Sequence, residues 1–152
     1  MKKYILLSIV CISSILFTSC EENPLPNPAP PTKIEIISTR PWKFSSAFVS
    51  SIDVSTQLPP CQRDNIFTFS VFKTGLINEG GLKCNTADPQ ERNFDWDFNG
   101  PQTELYISSV LFTGGNNTFT IVSLTSASMV LSQNVSLGGG SPQPVVVTFV
   151  PN

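Results

Sequence analysis

The sequence predicts an all-β domain behind an exported leader, and three observations carry that expectation. Apolar residues alternate with polar ones at period two through most of the chain after Arg40. Thirteen prolines and nine glycines punctuate the 152 residues at short intervals. The abundant residues are Phe, Val, Ile, Ser and Thr, which suit a pleated, half-buried surface better than a helix. The length has room for one domain with a leader and a tether.

The leader comes first. Lys2-Lys3 precedes an apolar run from Tyr4 to Phe17, shorter than the roughly 20 residues a membrane-spanning helix needs. It ends in Thr18-Ser19-Cys20, small residues directly before a cysteine, so residues 1–19 read as a removable signal peptide. Leu16-Phe17-Thr18-Ser19-Cys20 resembles a bacterial lipobox. The resemblance implies that Cys20 is diacylated and becomes the anchored N-terminus in the bilayer. Two or more acyl chains hold stably where one does not, because each buried methylene contributes about 0.8 kcal/mol.

Residues 20–39 read as the lipidated cysteine and a proline-rich tether. Prolines recur from Asn23 to Pro31 and favour extended polyproline II, so Glu21 to Pro31 reaches about 34 Å at about 3.1 Å per residue. Glu21-Glu22 directly after the cysteine resembles the surface-export signal of lipoproteins in Bacteroidota. Its implication is an outer-membrane lipid anchor with exposure at the cell surface.

Loss of Lys2 and Lys3 leaves seven bases against eleven acids, a formal charge of −4. No basic patch remains to neutralise phosphates, which argues against a nucleic-acid partner. After Glu104 there is no charged side chain at all.

Residues 40–152 are expected to form the barrel. The first run alternates Phe44, Ser46, Phe48, Ser50 and Ile52 with Ser45, Ala47, Val49 and Ser51. The second covers 65–72, and the Lys73-Thr74-Gly75 turn leads to a short third run through Ile77. Phe94-Asp95-Trp96-Asp97-Phe98 sets three aromatics on one face and two carboxylates on the other, and Asn99-Gly100 marks the hairpin that follows. Four more runs cover Thr103–Phe112, Thr118–Leu124, Ser128–Leu137 and Val145–Val150. Eight short strands joined by short turns predict an eight-stranded antiparallel up-and-down barrel, since closure removes the exposed edges. A β-sandwich is the alternative. The expected interior residues are Trp42, Phe67, Phe69, Phe94, Trp96 and Phe98.

Arg40-Pro41-Trp42-Lys43-Phe44, Cys61-Gln62-Arg63-Asp64-Asn65, Asn78-Glu79-Gly80-Gly81-Leu82-Lys83-Cys84, Phe94-Asp95-Trp96 and the Leu124…Leu131 hairpin resemble the lipocalin-like lipoprotein domains of Bacteroidota. The resemblance spans about residues 40–150 and implies a small calycin-like barrel. In lipocalins proper an early-strand Trp packs at the closed barrel end under an Arg from the last strands. Trp42 matches the first feature, and no Arg follows Arg92 to supply the second.

With Cys11 in the leader and Cys20 carrying lipid, Cys61 and Cys84 remain. An even pair in an oxidising compartment reads as a disulfide, worth about 3 kcal/mol for a loop of about 24 residues. A zinc site wants more ligands, and a nucleophilic thiol wants a histidine, of which the chain has none. Asp95-x-Asp97-x-Asn99-Gly100 begins like a calcium loop, but Tyr106 stands where the bidentate Glu belongs. Residues i and i+2 on a strand sit about 6.5–7 Å apart, and an exposed carboxylate pair at that spacing reads as a solvated face. No catalytic residue, metal or cofactor is expected. The functional expectation is a non-catalytic, membrane-anchored module for a small apolar ligand. The alternative is a structural lipoprotein with a self-filled core that docks onto an envelope protein partner.

Overall fold

A computed structural model describes residues 28–152; the leader, Cys20 and most of the proline-rich stretch lie outside the described residues. One antiparallel sheet organises the domain. Its strands are β1 (Trp42–Val49), β2 (Ile52–Asp53), β3 (Ile66–Phe69), β4 (Thr74–Asn78), β5 (Glu91–Phe98), β6 (Glu104–Ile107), β7 (Thr118–Leu124), β8 (Met129–Val135) and β9 (Gln143–Pro151). Each strand from β3 to β9 pairs with its sequence neighbour, and β9 returns to pair with β1 over seven residue pairs from Trp42↔Pro151 to Val49↔Val145. The sheet therefore closes on itself as an up-and-down barrel, which decides against the sandwich. Eight strands make the ring.

The ninth strand, β2, covers an edge. β1 and β3 share only Trp42↔Phe67 and Lys43↔Ile66. Above that point β2 folds back on β1 through Phe48↔Asp53 and Val49↔Ile52. The Ala47 N–H donates to Ser55 Oγ at 2.9 Å, and the Val54 N–H donates to the Ala47 carbonyl at 2.9 Å. The backbone groups of β1 thus find partners where β3 does not reach.

β1 departs from the expected alternation. Its pairing with β9 slips between Phe44 and Ser46, so Ser45 is a bulge residue. The bulge inverts the phase: Trp42 and Phe44 face the core before it, and Ala47 and Val49 after it. Phe48, expected on the face of Phe44, lies instead on the other side. A second bulge between Ile121 and Ser123 leaves Val122 exposed on β7.

Two more expectations are corrected. The run Thr103–Phe112 supplies only β6, Glu104–Ile107; residues 108–117 form a loop. Leu111 and Phe112 leave the sheet because their side chains fold over the barrel's end, where both are buried. Upstream, residues 33–38 stand within the stretch read as tether, yet they form helix α1 (Lys33–Ser38). Thr32 and Glu35 make a capping box, the Glu35 N–H donating to Thr32 Oγ1 at 3.2 Å and the Thr32 N–H to Glu35 Oε2 at 2.7 Å. The Thr-x-x-Glu spacing was the signal for it. Ile37 is fully buried and Ile34 packs against the core, so α1 stoppers one end of the ring.

The barrel has unlike ends. At the turn end lie α1 and the tight β3–β4, β5–β6 and β7–β8 turns. At the loop end lie the long β1–β3 connection, with a short 3₁₀ turn at Ser55–Gln57 and helix α2 (Pro60–Arg63), and the β4–β5, β6–β7 and β8–β9 loops.

Candidate functional site at the loop end of the barrel

The interior belongs to the protein's own side chains. Trp42, Phe67, Phe69, Phe94 and Trp96 are buried; Phe98 is half-buried and packs against them. Period two aims Phe94, Trp96 and Phe98 inward and leaves Asp95 and Asp97 exposed. The rings interlock edge to face. Phe69 meets Phe94 with centroids 5.2 Å apart and Trp96 at 5.4 Å, Trp96 meets Phe98 at 5.3 Å, and Phe67 meets Phe149 at 5.6 Å. Such pairs contribute about 0.5–1.5 kcal/mol each beyond area burial. Trp42 Nε1 donates to the Ile37 carbonyl at 2.8 Å and Trp96 Nε1 to the Thr74 carbonyl at 3.1 Å, so neither buried indole is left unpaired. Gly75 lies opposite Phe94, and the ring occupies the space a Cβ would take. A side chain at 75 would push Phe94 out of this stack.

The loop end is closed by a segment that crosses it. Val54 and Leu58 are buried, as are Leu111 and Phe112 of the β6–β7 loop, where the Phe112 ring lies 6.5 Å from that of Phe119 and 6.3 Å from that of Phe149. Three long-range ties hold the crossing. Cys61 and Cys84, 23 residues apart, are joined by a disulfide with Cα atoms 5.1 Å apart. The Asp64 carboxylate accepts from the N–H groups of Gly81 at 2.8 Å and Leu82 at 2.7 Å. Gln62 makes a reciprocal pair with Thr113, donating from Nε2 to Oγ1 at 2.7 Å and accepting the Thr113 N–H at 3.2 Å.

Gly80 is required at this latch for two reasons. Its φ is +62°, and a Cβ there would stand 2.4 Å from the Asp64 carbonyl oxygen. Behind it the buried Glu79 carboxylate accepts from Arg92 Nη2 at 2.7 Å and Nε at 2.9 Å through one oxygen. The segments Cys61–Asn65 and Glu79–Cys84 are distant in sequence and form one structure here. Their residues serve as a latch.

Beside the latch the loop end is concave. A cleft of about 270 Å³ opens between the β1–β2 hairpin and the β8–β9 loop, with walls of Val49, Ile52, Val54, Val135 and Leu137 and a rim of Gln57, Ser141 and Gln143. A second cleft of about 260 Å³ lies on the far side of Gln57 and Leu137, between Leu58, Thr113 and Gly138-Gly139. The alternation of the sequence points to the interior aromatics as candidate ligand-facing residues and gives no sign of this groove. Its walls come from strand ends and loops brought together only by the closure of β1 on β9.

The carboxylate run that begins like a calcium loop is engaged in a hairpin. Asn99 Oδ1 accepts from the N–H groups of Thr103 and Glu104 at 2.8 and 3.0 Å. Asp97 pairs with Lys73 at 2.8 Å, and the hydrogen bond from that ammonium is the main cause of its lowered pKa. Asp53 is likewise lowered, first by the Ser55 hydroxyl and then by the Ser55 N–H. Asp53 and Asp97 are exposed strand residues and Asn99 is a half-buried turn residue, and each is engaged by its neighbours in the protein. Cys20, the expected lipid-attachment site, lies outside the described residues.

No family model matches the chain, and no curated protein matches it. Among solved structures the chain is similar to bovine odorant-binding protein in complex with a selenium-containing odorant. The identity is 15%, with 83% of this chain and 76% of that chain covered, at a TM-score of 0.44.

Proposed function

We propose that the protein is a non-catalytic binding domain, held at the outer membrane by acyl chains on Cys20 and presented at the cell surface. Its ligand is small and apolar, and it is received in the loop-end cleft rather than in the barrel interior. One observation carries this reading. Aromatic side chains fill the barrel axis, whereas the cleft beside Leu137 keeps an open apolar wall. A volume of about 270 Å³ is just under the usual range of about 300–1,000 Å³ for small-molecule sites, which limits the occupant to a compact molecule. The anchor rests on the lipobox-like Leu16–Cys20, and the surface placement on Glu21-Glu22.

Leu137 is half-buried in the cleft wall and takes no part in the aromatic contacts, so Leu137→Asp changes the cleft without touching the aromatic stack. Native mass spectrometry of the protein isolated from its own membrane is expected to show a retained small molecule, lost in the Leu137→Asp variant. Absence of bound mass in the unaltered protein, together with exclusion of an apolar fluorescent dye, would sink the ligand reading. The filled interior favours a second reading, a self-packed module for an envelope protein partner. Crosslinking on intact cells that yields one discrete heavier band would move the assignment there.

A further inference from the structure

We propose that the β3–β4 turn is a membrane-touching tip, with Val71 and Phe72 dipping into the lipid interface beneath the barrel. The inference rests on the lipid-anchor reading above and adds the face that the domain turns toward the bilayer. Phe72 is 84% exposed, more than any other large apolar side chain among the described residues, and its neighbour Val71 is 52% exposed. An apolar pair at the apex of a turn is unusual, because turns ordinarily take Gly, Asn, Asp or Pro for conformational reasons.

The turn is built firmly around that pair. The Ser70 N–H donates to the Thr74 carbonyl at 2.8 Å, the Lys73 N–H to the Ser70 carbonyl at 3.0 Å, and the Phe72 N–H to Ser70 Oγ at 3.2 Å. Lys73 takes a left-handed φ of 64°, where glycine would sit without strain. Its carbonyl is fixed by the Trp96 N–H at 2.9 Å and its ammonium by Asp97. The backbone therefore accepts a strained residue while holding two apolar side chains out in water. Core packing gains nothing from that arrangement.

The occupant follows from where the chain enters. Lys33, at the start of α1, donates from Nζ to the Gln102 carbonyl in the neighbouring β5–β6 turn at 2.6 Å. The N-terminal approach to the domain thus lies at the same end as Val71-Phe72. Cys20 stands eight residues before Pro28, the first described residue, a span of about 25 Å if extended at about 3.1 Å per residue. A bilayer in which acyl chains on Cys20 are rooted is within reach of this end, while the loop-end cleft faces away from it. Two side chains alone would hold a free protein poorly, but a tether makes the contact intramolecular at an effective concentration in the millimolar range. A weak contact then suffices to orient the domain.

The test uses the full lipidated chain in vesicles of phosphatidylethanolamine and phosphatidylglycerol that carry a quencher in the acyl region. A dye is attached to the Phe72→Cys variant or, at the loop end, to the Val110→Cys variant. Quenching at position 72 and none at 110 is the expected result. Flotation with the vesicles but equal signals at both positions overturns the tip and leaves the anchor standing. Failure to float overturns both. Dimers of the lipidated chain in detergent that Phe72→Ser dissolves would assign the tip to a second copy and overturn the membrane contact.

Discussion

At the turn end the barrel is stoppered by α1, which is separated from β1 only by Thr39-Arg40-Pro41 and reaches Trp42 through a hydrogen bond five residues long in sequence. At the loop end it is stoppered by residues 54–65, which depend on partners 17 to 51 residues away: Gly81, Leu82, Cys84 and Thr113. Local closure needs little chain entropy to be lost, because the stopper already lies beside its socket. Closure by a crossing segment restrains long loops and so needs covalent or charge-assisted ties. The disulfide therefore sits at the end that a crossing segment closes. The two clefts beside Leu137 have the same origin, since four irregular segments tile the loop end less completely than one helix tiles the other.

The most damaging change should be at the locally closed end. Trp42 is fully buried and its indole holds α1 in place, so Trp42→Ala is expected to cost about 3–5 kcal/mol in a urea titration. A loss under about 1 kcal/mol would mean that the socket collapses freely and that α1 is not a stopper.

Removing the disulfide by Cys61→Ser with Cys84→Ser should cost somewhat less, about 3 kcal/mol in the chain-entropy view. The distribution of the effect sharpens the contrast. Amide exchange should accelerate in 54–65 and 79–90 while α1 keeps its protection relative to the global unfolding limit. Uniform acceleration across both ends would show that the latch serves the whole barrel and not its loop end.

The smallest effect is expected at the helix cap. Thr32→Ala should cost about 1 kcal/mol, the usual worth of an N-cap. The Glu35 carboxyl is held below the ordinary glutamate range, mainly by the Thr32 N–H and then by the Thr32 hydroxyl. Its pKa is lower folded than unfolded, so its contribution is complete above the ordinary carboxylate pKa and disappears as pH falls through the folded value. The difference in stability between the Thr32→Ala protein and the unaltered one should therefore shrink in that acidic window. A difference independent of pH would remove Glu35 from the cap.

Much of the ring was legible because period two is a local property. Phe94-Asp95-Trp96-Asp97-Phe98 declares its two faces without reference to any other strand, and Asn99-Gly100 declares where the strand stops. The bulge at Ser45 was not legible. Nothing in Phe44-Ser45-Ser46-Ala47 distinguishes a bulge from continued alternation, and the choice is made by pairing with β9, about a hundred residues away. Leu111 and Phe112 read as the end of a strand for the same reason. An apolar residue looks alike whether it lines a sheet or folds over its end.

The sequence by itself determined the class of domain, the alternation that builds its walls, and the expectation of a disulfide between Cys61 and Cys84. These follow from chemistry carried by single residues and their immediate neighbours. Tertiary structure decided the closure of β1 on β9, the filling of the axis by the barrel's own aromatics, and the union of Cys61–Asn65 with Glu79–Cys84 into a latch. It also placed an apolar-walled cleft beside Leu137, at the loop end and not among those aromatics. Each of those outcomes is a competition among distant segments for the same space, and packing settles it only when the ring closes.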